Sequence, residues 1–88
     1  MWAFDHGTMR RLAIELGNVI RHHREAVGMS QEDLAGRAGI HRTHVGFLER
    51  GERSATVDVL VRIGDALRVR ASDLLKDAES LAAPNDSR

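Results

Sequence analysis

Residues 30–51, SQEDLAGRAGIHRTHVGFLERG, constrain the chain more than any other stretch. Ser30 suits a helix N-cap, and Asp33 stands at the third helical position. That is the spacing of a capping box, with Asp in place of the usual Glu or Gln. Leu34, Ala35 and Ala38 then fall on one side of a short helix. Gly39 follows at once, where a helix end can turn into the left-handed region without a Cβ penalty. Ile40 is apolar inside the turn and is expected to point into the core. His41-Arg42-Thr43-His44 opens a second helix, anchored by Val45 and Leu48 at helical spacing. Arg42, Thr43, His44, Gly46 and Phe47 lie between the anchors and face outward.

The rest of the chain reads as further helices. The predicted set is all-α, with helices near 9–27, 31–38, 42–50, 57–67 and 73–82 and no strand. Leu12, Leu16, Val19, Ile20 and Val27 form the apolar stripe of the first. Gly17 interrupts that stripe, so the ordered helix begins near Met9 or, capped by Asn18, after the glycine. Gly28 ends it, and Gly51 closes the third helix. Thr56 is the expected cap of the fourth, with Leu60, Ile63, Gly64 and Leu67 inward. Ser72 is the expected cap of the fifth, which carries Leu74, Leu75, Ala78 and Leu81. Residues 1–8 read as an N-terminal arm bearing Trp2 and Phe4, two of only three aromatic residues in the chain. Such an arm is either a disordered start or a segment that packs on the domain or on a partner. Residues 83–88 read as a flexible polar tail.

Composition limits the function classes. Eighty-eight residues make one small helical domain with a thin core, which a dimer interface would naturally supplement. The chain has no cysteine, which removes disulfides, thiolate metal sites and a cysteine nucleophile. No apolar run approaches the roughly 20 residues that cross a bilayer, and the start lacks the pattern of a signal peptide. A cytoplasmic protein is expected. The formal net charge is zero, yet the charge is unevenly spread. From Arg37 to Arg53 there are four arginines against two glutamates, and from Ser72 to Arg88 four acids against two bases. The basic excess coincides with the two-helix unit.

Catalytic and metal chemistry find little support. His22 and His23 are adjacent, so on a helix they diverge, whereas metal sites prefer the i, i+4 pair. No glycine-rich phosphate loop follows a strand, and no nucleophile is matched with a base and an orienting group. Neither an enzyme nor a cofactor is expected.

Two short helices joined by a glycine turn, the second with a polar and basic outer face, have the layout of a DNA-reading helix-turn-helix. Residue by residue, the chain resembles the Cro/lambda-repressor-type, or xenobiotic-response-element, family. The resemblance runs from about Leu16 to Leu75 and rests on GMSQEDLAGRAGI, on ERGER at 49–53 and on VLVRIGDALRVRASDLL. Within the family, HRTHVGFLERGER is most similar to the controller proteins of restriction-modification systems. It implies a compact five-helix lambda-repressor-like domain that binds double-stranded DNA. Base contact would fall to Arg42, Thr43, His44 and Gly46. Arg42 suits guanine, whose O6 and N7 accept a bidentate guanidinium. Phosphate contact would fall to Gln31, Arg37, Arg50 and Arg53. Glu49 is expected to hold the following loop through hydrogen bonds or an ion pair.

One recognition helix reads few base pairs, so a two-fold homodimer on a pseudo-palindrome is expected, with recognition helices about 34 Å apart. Val69, Leu74 and Leu75 are the expected dimer surface. The alternative is a protein-interaction role on the same fold, as an antitoxin or an adaptor.

Overall fold

In the computed structural model, residues 5–83 are described and form five helices. Helix α1 spans His6–Ala26, α2 Gln31–Ala38, α3 Arg42–Glu49, α4 Val57–Leu67 and α5 Ala71–Ala82. Among the described residues there is no strand, and no helix is long and apolar enough to cross a membrane. Trp2 and Phe4 lie outside the described residues, as does the tail beyond Ala83.

Helix α1 starts earlier than its apolar stripe. Asp5 caps it, its carboxylate accepting the Thr8 N–H at 2.9 Å. His6, Gly7 and Thr8, expected in the arm, are therefore the first turn of the helix. Nor does α1 restart after Gly17. Asn18 bonds Glu15 and Arg21 along the helix surface instead of capping. Gly17 is there because α1 descends onto the end of α3. A Cβ at Gly17 would collide with the Leu48 carbonyl oxygen and lie 2.6 Å from that of Glu49.

Both partners of the capping box at α2 are in place. Asp33 N–H donates to Ser30 Oγ at 2.9 Å, and Ser30 N–H donates to Asp33 Oδ2 at 3.0 Å. Gly39 is left-handed at φ 70° and turns the chain into α3. Thr56 caps α4, accepting the Val59 N–H at 3.2 Å. Leu60, Ile63, Gly64 and Leu67 are buried, as expected.

Helix α4 ends at Arg68, which is left-handed at φ 59° without being glycine. Its neighbour Val69 donates to the Gly64 carbonyl at 2.8 Å. A Cβ at Gly64 would come within 2.5 Å of the Val69 carbonyl, so that glycine makes the tight corner possible. Helix α5 then begins at Ala71, with Arg70 at its N-cap and no side-chain cap bond. Ser72 is in the first turn rather than capping it.

The core is one cluster shared by all five helices. Ile20, Leu34, Val45, Ile63 and Leu74 are its largest fully buried side chains. Helix α1 packs chiefly along α5, while α2 packs against α3 and α4. Leu74 is fully enclosed in this core and has no surface to give a partner, which removes it from the expected dimer surface. Val69 and Leu75 are half-buried at the core's edge.

Candidate nucleic-acid interface

The unit that presents α3 is clamped from beneath by one buried ion pair. Arg24 of α1 bonds Glu49 at the end of α3, Nε to Oε2 at 2.7 Å and Nη2 to Oε1 at 3.0 Å. Its third nitrogen donates to the Met29 carbonyl at 2.8 Å. Gln31, first residue of α2, donates its amide to Glu49 Oε1 at 3.0 Å. Glu49 is only 3% exposed. The carboxylate's hydrogen bonds hold the Arg24 guanidinium above its ordinary pKa, so it stays charged. Helices α1, α2 and α3 are thus tied at one point: the carboxylate of Glu49, expected to hold the loop that follows α3, bonds Arg24 of α1 and Gln31 of α2 instead.

Val45 and Leu48 root α3 in the core. Arg42 and Thr43 stand exposed at its start, and His44 is half-buried behind them. His41 forms the N-cap, its Nδ1 accepting the Thr43 N–H at a long 3.4 Å. Gly46 is buried because the Arg50 side chain lies back over it. A Cβ there would sit 3.0 Å from Arg50 Nη1. The glycine makes room for an arginine and offers no side chain to a base.

The C-terminal end of α3 carries a cationic cluster built on Phe47. Arg53 places its guanidinium 4.6 Å from the ring centroid, and Arg50 lies at 5.5 Å. Both are within the range where a ring face attracts a cation. Arg50 also forms a two-bond pair with Glu52, at 3.0 and 3.3 Å. Among the described residues, Arg37, Arg42 and Arg53 form no ion pair.

Of the eight expected base and phosphate residues, His44 is half-buried and Gly46 buried in α3, and the other six divide into three settings. Arg42, Thr43 and Arg53 are exposed, Arg53 resting on the Phe47 ring. Gln31 and Arg50 are partly engaged within the protein. Arg37 is exposed near the end of α2. The role of Phe47 was not legible in the sequence, although its spacing to Arg50 and Arg53 is the only signal that could have shown it. The rings of His22 and His23 meet edge to face at 5.8 Å, away from α3.

The profile of the helix-turn-helix family matches residues 20–74, and the chain belongs to that family. It is a DNA-binding transcriptional regulator of the XRE type. Among its relatives is the control protein C.SmaI of Serratia marcescens, 38% identical over 60 residues, which span 68% of this chain and 71% of that protein. The crystal structure of the restriction-modification controller C.AhdI from Aeromonas hydrophila is similar with a TM-score of 0.69 and 34% identity, over 70% of this chain and 94% of that one. A variant of the controller C.Esp1396I, bound to its highest affinity operator site, is similar with a TM-score of 0.72 and 29% identity, over 82% of this chain and 95% of that one.

Proposed function

We propose that this protein is a cytoplasmic controller of a restriction-modification system that binds a pseudo-palindromic operator as a homodimer. The observation that carries the reading is the α3 face. Arg42 and Thr43 are exposed at the helix start, where a docked recognition helix meets base edges. Arg53, in the loop beyond α3, and Arg37, near the end of α2, are exposed cations suited to phosphates. The operator complex of the related C.Esp1396I supports the same mode of binding here.

A dimer supplies the second recognition helix. The surface for it runs along the outer face of α4. Val57 is 79% exposed and Val61, one turn on, 52% exposed. Val61 shares a groove with Val69 at the α4–α5 corner. Val57, Val61 and Val69, with Leu75 at the edge, replace the surface that included Leu74. The reading is of a cytoplasmic DNA-binding protein that needs no cofactor and no catalytic step.

Sedimentation and a mobility shift on the protein's own upstream region test this together. The expected result is a dimer that binds a two-half-site duplex far more tightly than a single half-site, because linked sites raise the effective concentration of the second contact. Val61→Asp should yield a folded monomer that has lost this advantage. A wild-type monomer, or equal affinity for one and two half-sites, would overturn the dimer. An adjacent gene for a restriction enzyme would support the controller assignment, and a toxin gene in its place would contradict it.

A further inference from the structure

The geometry points to a second phosphate-binding site, formed by Arg10 of α1 with Arg53, in the cleft between the first turns of α1 and the loop that follows α3. It rests on the DNA-binding reading and extends it to an element outside the helix-turn-helix.

The cleft is open, with a volume of about 690 Å³, and His6, Arg10, Arg50, Glu52, Arg53 and Ser54 supply its polar wall. Two features of the sequence create it. Asp5 starts α1 early enough to carry Arg10 past the core and alongside the loop. Gly51, left-handed at φ 72°, lets the loop press onto α1, since a Cβ there would lie 2.7 Å from the Ile14 Cα. Leaving His6 aside, the wall carries three arginines, Arg10, Arg50 and Arg53, against one glutamate, Glu52, for a formal net charge of +2. Glu52 is already paired with Arg50. Arg10 is exposed and, among the described residues, forms no ion pair.

The position of this cleft identifies its ligand. A recognition helix turns its N-terminal residues to the bases. Its C-terminal end and the loop beyond therefore stand at the sugar-phosphate wall of the groove. The Phe47 ring holds Arg53 at that end, and Arg10 faces the same cleft from the other side. A backbone phosphate entering between them meets two guanidiniums from separate elements. The neighbouring Arg11 is turned elsewhere, donating to the Leu81 carbonyl at 3.3 Å, and provides a control.

The test measures binding of a 30-base-pair duplex from the protein's upstream region between 50 and 200 mM salt, for wild type, Arg10→Gln, Arg10→Lys and Arg11→Gln. Circular dichroism checks the fold of each. Each phosphate contact contributes about −0.9 to the log-log salt slope, so losing one per protomer should flatten the dimer's slope by about 1.8. The wild-type advantage over Arg10→Gln should then shrink about 12-fold across that range. Arg10→Lys should keep most of the slope, and Arg11→Gln should match wild type. Ethylation interference should show one phosphate per half-site that matters to wild type and not to Arg10→Gln. If wild type binds steeply and Arg10→Gln has the same slope, the second site is refuted and the helix-turn-helix reading stands. If wild type shows no salt-dependent binding, both fail.

Discussion

Arg24 and Glu49, 25 residues apart, form a two-bond ion pair beneath the recognition helix, with side chains 11% and 2% exposed. The pair joins α1 to the last residue of α3, and Gln31 joins α2 to the same carboxylate. The orientation of α3 thus depends on a charge that water scarcely reaches. Arg24→Met would leave Glu49 buried with one amide donor, and removing one member of such a pair typically costs about 3–5 kcal/mol. Denaturant unfolding should show a loss of that size. Arg24→Met combined with Glu49→Leu should recover most of it, because an apolar pair of similar volume carries no desolvation penalty. A double variant no more stable than the single one would contradict this.

Two helical glycines should respond to alanine in opposite directions. At Gly17 the new Cβ would meet the backbone of Leu48 and Glu49, which cannot move without shifting α3. The ordinary helix gain of about 1 kcal/mol should be overwhelmed by an overpacking cost of about 1–3 kcal/mol or more. Gly36 is exposed in α2 and a Cβ there meets nothing within 4 Å. Gly36→Ala should raise stability by about 0.5–1 kcal/mol. Thermal unfolding of the two variants distinguishes these outcomes.

Much of the fold is legible in the sequence because its signals are local. Ser30 with Asp33, Gly39, and Thr56 before an apolar stripe each act within one turn, and each element they mark is present. The departures come from contacts between distant segments. Gly17 looks like a helix breaker until α3 is packed on it. Arg68 turns left-handed without glycine because Gly64 admits the Val69 carbonyl. Leu74 and Leu75 are neighbours in an apolar run, and only packing shows that Leu74 is the one enclosed. On the site, Arg42 and Thr43 could be placed outward from helical spacing alone, whereas Arg53 lies in the loop beyond α3. The Arg50 fold over Gly46 and the Phe47 platform needed three dimensions.

The capping carboxylates give the stability an acid limb. The Ser30 backbone and hydroxyl bonds hold the Asp33 carboxyl below its ordinary value of 3.8, and the bonds from Thr8 do the same for Asp5. A lowered native pKa means that the unfolded chain binds more protons, so stability falls as pH falls. The contribution is complete above the ordinary carboxylate range and is lost as pH drops through the lowered native values. Asp33→Asn should reduce stability at neutral pH and flatten its decline below about pH 4. Urea midpoints from pH 7 to 2.5 check this, and an unchanged acid slope would contradict it.

Phe47 should matter to DNA without touching a base. Phe47→Ala removes the ring that fixes Arg53 and Arg50. An exposed cation-ring contact is worth about 0.5–1 kcal/mol, so affinity should fall modestly and equally on operator and scrambled DNA. Phe47→Leu, which keeps apolar bulk but no ring face, should fall between. A loss confined to the operator would assign Phe47 to base reading instead.

Arg42 is the residue through which α3 is proposed to read sequence. Arg42→Ala, titrated on the operator and on a scrambled duplex at one fixed salt concentration, tests it most directly. The expected loss on the operator is about 1–3 kcal/mol per half-site, with relaxed preference at one base pair of each half-site and little change on scrambled DNA. Equal weakening on both duplexes would make Arg42 a phosphate contact and contradict the account.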